Sequence, residues 1–175
     1  YHSNETKISY QYLKQVIANL EEPLCMLGGW AVYFTVNELY TKEQGLPYIG
    51  SRDIDLGFED ISSLKKTMEK LEQMGFQKLS FRLYKEVHTE TMQELSKEQA
   101  KKTPLHDIFP MYVDIILSKT DSSLKTKLGF MPIDEPLLRP IFEKKQGREV
   151  KEFGKKTHHS NTSITSGYEN SCYKE

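Results

Sequence analysis

Apolar residues recur at Ile8, Tyr12, Leu13, Val16, Ile17 and Leu20. That spacing places them on one helical face and predicts an amphipathic helix over residues 5–21, ended by Pro23. Leu24 to Leu27 form a short apolar run that reads as a buried strand. Gly28-Gly29 then turns the chain into a second helix, Trp30 to Tyr40, and the polar residues 41–50 read as a loop. Asp53 to Phe58 alternates acidic or small with apolar positions and predicts a second strand. A third helix follows, capped by Ser62 or Ser63, carrying Leu64, Met68 and Leu71 and closed by Gly75. Leu79, Phe81 and Leu83 alternate, so 77–87 reads as one strand. Ser96-Lys97-Glu98-Gln99 matches a capping box for a short helix ended by Pro104. Met111 to Leu117 is a further strand, and 139–153 reads as a last hairpin around Gln146-Gly147. Helices and strands alternate, as in an α/β (α+β) fold.

The 175 residues suit one domain, with residues 1–154 as its body. Residues 155–175 lack apolar periodicity and are expected to stay outside the core as a polar tail. Net charge is −1, from 24 basic and 25 acidic residues. No global field draws the chain onto nucleic acid or an anionic membrane, so such a contact needs a local patch. Lys65-Lys66 and Lys119 are the candidates for one. Cys25 sits in an apolar run, as a buried thiol would, and with Cys172 makes no disulfide framework. No stretch is long and apolar enough to span a bilayer, and a cytoplasmic location is expected.

The chemistry concentrates in Ser51-Arg52-Asp53-Ile54-Asp55-Leu56-Gly57-Phe58. Side chains on a strand alternate, so Asp53 and Asp55 share one face, opposite Ile54, Leu56 and Phe58. Two like charges side by side repel unless a cation bridges them. Holding Mg²⁺ against a phosphate-bearing substrate is an economical reason to build such a pair. The alternative is an edge strand whose charges block aggregation. Gly57 removes a side chain where something must approach, and Ser51 and Arg52 offer donors to phosphate oxygens. Gly28-Gly29 at a strand-to-helix turn frees backbone amides for a phosphate, or is an ordinary tight turn. Asp114, embedded in Tyr-Val-Asp-Ile-Ile-Leu, needs a partner. Taken alone it calls for a nearby Lys or Arg; beside an Asp-x-Asp strand it calls for the same metal. Trp30 and most aromatics read as core, with Tyr48 placed to stack on a base. His88 and His106 read as surface or packing residues.

Gly28-Gly29-Trp30-Ala31, Ser51-Arg52-Asp53-Ile54-Asp55-Leu56 and Val113-Asp114-Ile115-Ile116, in that order, resemble the nucleotidyltransferases of the DNA polymerase beta superfamily. Within it they are most similar to small prokaryotic members such as the AbiEii-type toxins. The resemblance covers Leu24 to Ser118. It implies a nucleotidyltransferase fold with a mixed β-sheet flanked by helices. It further implies that Asp53, Asp55 and Asp114 are catalytic, and that they hold two Mg²⁺ ions on an NTP such as ATP. Gly28, Gly29, Ser51 and Arg52 would line the nucleotide site. The reaction would move a nucleoside monophosphate to an acceptor hydroxyl on tRNA or another RNA, a partner protein or a small molecule. The gap from Gly29 to Asp53 exceeds that of the shortest members, so residues 41–50 would be an insertion covering the nucleotide.

Many members continue into a C-terminal helical region, where this chain is polar. Read one nucleotide forward, codons for His158 to Asn170 can encode Ile-Ile-Pro-Thr-Pro, an apolar pair and Met-Lys-Ile. A frameshift near Thr157 would account for such a tail; natural disorder is the alternative. Two other readings of the whole chain compete. One is a non-catalytic nucleotide- or partner-binding regulator of toxin–antitoxin type. The other is a phosphodiesterase or metal hydrolase, against which the lack of a His/Asp cluster counts.

Overall fold

The computed structural model describes residues 3–21, 24–121, 123–144 and 158–159. Helix α1 (Ser3–Asn19) buries the whole apolar stripe from Ile8 to Ile17. Pro23 lies outside the described residues. Strand β1 (Cys25–Leu27) leads straight into α2 (Gly28–Gln44). That helix runs four residues beyond Tyr40, so the loop expected from residue 41 begins only at Gly45. Thr41 to Gln44 are polar but carry no breaker, and Gly45, at φ 69°, ends the helix with its N–H donating to Thr41 O.

Strand β2 (Ile54–Phe58) starts one residue after Asp53. The cap of α3 (Ile61–Gln73) is Asp60 rather than Ser62 or Ser63: its Oδ1 accepts from the backbone N–H (2.8 Å) and hydroxyl (2.6 Å) of Ser62. Both serines fall inside the first turn. Gly75, at φ 88°, closes the helix as expected, and Phe76 N–H donates to Leu71 O at 3.0 Å.

The segment 77–87 is a hairpin, not one strand. β3 (Gln77–Leu79) pairs antiparallel with β4 (Arg82–His88) around Ser80-Phe81. Ser80 takes φ 56° to make the turn. The alternation of Leu79, Phe81 and Leu83 imitates a continuous strand, yet Leu79 and Phe81 are exposed and only Leu83 is buried. The capping box forms on α4 (Lys97–Ala100), with both reciprocal Ser96–Gln99 bonds present.

Strand β5 (Ile108–Leu117) is the longest element of the sheet. After it come α5 (Ser123–Leu128), β6 (Ile133–Asp134) and α6 (Leu138–Glu143). Residues 139–143 are therefore helical, contrary to the hairpin expected over 139–153; Gln146-Gly147 lies outside the described residues. Leu138, Ile141 and Phe142 fall at helical spacing and are buried, and Pro140 sits in the first turn, where it costs no hydrogen bond. The boundary near 154 and the origin of the tail also lie outside the described residues. Of that tail only β7 (His158–His159) is described, pairing parallel with Cys25 and Met26.

The fold is a mixed α/β one: the sheet runs β3-β4-β5-β2-β1-β7, with β6 against the end of β5, and helices flank it. β2 lies parallel to β5 and antiparallel to β1. One face of the sheet carries Met26, Ile54, Leu56, Phe58, Leu83, Val87 and the odd-numbered residues of β5 from Phe109 to Leu117. These pack with α1, α3 and Trp30 of α2 into the main core. The opposite face holds a smaller apolar cluster, Cys25, Leu138, Ile141 and Phe142 with Leu27 and Ile116, under α6. The rest of that face is the polar surface described next.

Candidate functional site

Strand alternation decides which side chains reach the polar face. Ile54, Leu56 and Phe58 are fully buried in the main core, so Asp55 points the other way. β2 lies between β5 and β1, which rules out the edge-strand reading of its charges. Parallel register puts Asp55 directly opposite Asp114. Asp53 precedes the strand and is close enough to Asp55 and Asp114 to interact with both charges. Asp55 and Asp114 of the two central strands, and Asp53 just ahead of β2, thus gather at one place.

The Gly28-Gly29 turn abuts them. Gly28 is at φ 60°, and an added Cβ would overlap Asp55 Oδ2. Glycine is required there twice over, for the backbone angle and for the close approach of the carboxylate. A Cβ at Gly29 would come within 2.8 Å of Ser51 Cβ, so Ser51 packs on the turn. Leu27 precedes α2 without a side-chain cap, which leaves the helix start to other acceptors. Gly28, Gly29, Ser51 and the carboxylates are therefore one neighbourhood. Ser51, Arg52 and Asp53, with Pro110 and Tyr112, line a cleft of about 240 Å³.

Arg52 lines that cleft and also pairs with α1: its Nε is 3.0 Å from Glu5 Oε2, and its guanidinium lies 5.4 Å from the Phe109 ring centroid. Other expected members stand elsewhere. Gly57 makes room for Leu138 of α6, whose methyls would lie 3.0–3.2 Å from an added Cβ, and not for a substrate. Tyr48 lines a separate cleft of about 220 Å³ with Tyr10, Trp30 and Tyr33. Trp30 is buried and donates from Nε1 to Ser9 Oγ at 2.9 Å. Lys65-Lys66 sits on α3, which packs on the opposite face of the sheet, and Lys66 Nζ is 3.6 Å from Glu21 Oε2. Lys119 is exposed beyond the end of β5. Cys25 is buried, as its apolar run implied.

The electrostatics set these carboxylates apart. Burial, then the charges of Asp114 and Asp53, push the Asp55 carboxyl up to about 6. Burial and Asp114 also raise Asp53, against the pull of Arg82 and Arg52. Asp114 donates nothing and accepts a 2.7 Å charge-assisted bond at Oδ2 from Nη2 of Arg82, its antiparallel partner on β4. Its Oδ1 is buried with no hydrogen-bond partner among the described residues. Arg82 is the residue the sequence reading missed. A lone cation at the head of an alternating strand was the only signal, and nothing in the sequence set its register against Asp114.

The donor set suits a hard divalent cation: carboxylate oxygens only, an unpartnered buried Oδ1, and local negative charge left over after Arg82 is counted. Among the described residues, however, no three His, Cys, Asp or Glu side chains stand in an arrangement that would hold a metal ion. The third carboxylate is engaged by Arg82 instead. Comparisons with protein-family models, curated proteins and solved structures find no match. Among the described residues no helix is long and apolar enough to cross a membrane.

Proposed function

We propose that this chain is a Mg²⁺-dependent, cytoplasmic nucleotidyltransferase of the DNA polymerase beta superfamily. It moves a nucleoside monophosphate from an NTP to an acceptor hydroxyl. The observation that supports this most is the pairing in register of Asp55 with Asp114 on two central parallel strands, beside the glycine turn that receives Asp55. In this reading Asp53, Asp55 and Asp114 hold the magnesium. The metal supplies charge to stabilise the phosphoryl oxygens. Ser51 and the amides at the start of α2 bind phosphate oxygens. Asp114 orients the acceptor hydroxyl and takes its proton as the oxygen bonds to the α-phosphorus. The bond from that phosphorus to the bridging oxygen breaks, and pyrophosphate leaves with the electron pair.

A second reading, a non-catalytic regulator of toxin–antitoxin type that binds nucleotide or a partner, draws on the Arg82–Asp114 ion pair, which satisfies one carboxylate without any metal. One experiment separates the two. The protein is incubated with each α-³²P-labelled NTP, Mg²⁺ and either total cell RNA, protein lysate or small-molecule acceptors. Catalysis gives label on one acceptor class, lost in Asp55→Asn. Labelled NTP that binds but is never transferred favours the regulator.

A further inference from the structure

The second cleft, of about 220 Å³, opens between α1, α2 and the segment after Gly45. Its walls are the rings of Tyr10, Trp30, Tyr33 and Tyr48, with Pro47 beside them. Trp30 is its floor: the side chain is buried and its Nε1 is held by Ser9. The Tyr10 and Tyr33 rings meet it at 5.3 and 5.4 Å between centroids. Gly50 brings the backbone onto the same indole, since a Cβ there would lie 2.5 Å from Trp30 Cη2. Tyr40 braces Tyr48 edge-on, with centroids 5.3 Å apart. The rings thus hold one another and fix the shape of the cleft. The rim has two characters. Lys7 lines it and Lys14 stands over the Tyr10 ring at 4.9 Å, both exposed, and no carboxylate is among the described lining residues. Beside Pro47, Tyr48 and Gly50 in the chain, Leu46 and Ile49 are 65% and 62% exposed, and Tyr40 is exposed as well. Large apolar side chains gathered in water mark a contact surface for another protein.

We propose that this cleft docks an extended, proline-containing segment of a partner protein, with a carboxylate of that segment against Lys7. Chemistry selects the occupant. Flat ring faces pack the proline ring, and a polyproline II strand arrives already ordered, so binding orders little. Leu46, Ile49 and Tyr40 take the apolar contacts that flank the proline. An ammonium group also favours ring faces, but Lys7 and Lys14 repel it. A nucleobase would stack on the rings, yet a nucleic-acid strand needs cations along its backbone, and one whole border of this cleft is apolar. Gly50 borders this cleft and Ser51 the one beside the carboxylates, so the docked segment lies alongside the candidate site. The docking does not depend on whether the carboxylates hold a metal.

Trp30 is the single tryptophan of the chain, so its emission reports on this cleft. A library of random peptides without tryptophan is displayed on phage and selected on the full chain. The enriched peptides are synthesised and titrated against the Trp30 emission. They should carry proline beside acidic residues and shift the emission saturably. Replacing their acids by lysine should weaken binding about tenfold, as attraction at Lys7 turns to repulsion. Tyr48→Ser should weaken it by about tenfold or more, the loss of one ring anchor. Should Tyr48→Ser fail to fold, Lys7→Glu, at an exposed position, decides: it should reverse the preference between the acidic and the lysine-bearing peptides. Asp55→Asn should bind the peptides as the wild type does, and a loss there would place them at the carboxylates and overturn the proposal. Enrichment without proline, indifference to the charge swap, or no peptide that moves the emission overturns it as well. So does a saturable shift with AMP or oligoadenylate that no peptide reproduces, which would make the cleft a base site.

Discussion

Strand β4 carries two cations on its two faces, three residues apart. Lys85 points into the main core and Arg82 onto the polar face. Both are paired with a carboxylate and flanked by aromatic rings: Lys85 by Glu94, Tyr12 and Phe76, and Arg82 by Asp114, Tyr112 and Phe81. The surroundings differ. Lys85 is one charge answered by one charge, and its partner Glu94 is half exposed on a connecting segment, where water shares the work. Arg82 faces a buried aspartate with an orphaned oxygen and two more carboxylates behind it. A balanced pair explains itself as structure. A pair with surplus negative charge does not, and that surplus supports the cation of the function proposed above.

The contrast breaks most sharply in turnover. Asp53→Asn and Asp55→Asn should lose nucleotidyl transfer by about a thousandfold or more, the several kcal/mol that metal-assisted charge stabilisation supplies. Lys85→Met, across the sheet, should leave the rate within about threefold. Label transfer at saturating NTP measures both, with circular dichroism to confirm that each variant folds. Equal losses in all three would assign the aspartates to structure.

Stability should respond in the opposite sense. Relieving the like-charge cluster makes Asp55→Asn more stable than the wild type at pH 8 without divalent cations, by up to about 3 kcal/mol given a carboxyl raised to about 6. Urea denaturation reads this directly. A loss of stability would mean that the Asp55 carboxylate makes a favourable contact in the folded chain.

The pH profile follows from the same residue. The folded carboxyl titrates near 6 against an ordinary value of 3.8, so the native state holds the extra proton between them. The stabilising effect is complete below the unfolded value and is lost as pH rises through about 6. Metal-free wild-type protein should therefore lose roughly 2–2.5 kcal/mol from pH 4 to pH 7, and Asp55→Asn should lose less. Mg²⁺ should flatten the slope by neutralising the cluster.

The smallest expected effect closes the comparison. Lys85→Met should change stability by no more than about 1 kcal/mol, because a methionine fills the ring-lined site and Glu94 can turn to water. A loss of several kcal/mol would make this pair as demanding as the one across the sheet.

What was legible in the sequence follows from how local each signal is. The stripe of α1, the strand at Asp55 and the Ser96 capping box are written within a few residues, and they stand as expected except that the strand begins at Ile54 and leaves Asp53 outside. The β3–β4 hairpin was hidden because Ser80 turns the chain inside an alternating pattern, where neither Gly nor Pro gives the turn away. α6 was hidden because six residues hold too few periods to outweigh nearby turn residues. At the site, alternation alone placed Asp53 and Asp55 on one face. That Asp114 faces Asp55, and that Arg82 faces Asp114, depends on register between strands far apart in the chain. Of the two readings of Asp114 in the sequence, the ion pair is the one the structure displays, with Arg82 as the partner.

The alignment of Asp55 with Asp114 also bears on how the sheet assembles. A slip of one residue in β2 would turn Asp53 and Asp55 toward Leu64, Met68 and Leu71 and bring Ile54 and Leu56 out onto the polar face. Each carboxylate carried inward would cost several kcal/mol, far more than the ladder bonds could distinguish by themselves. The acidic residues thus act as an assembly check: a misthreaded sheet is rejected by the same charges that a correctly threaded one displays.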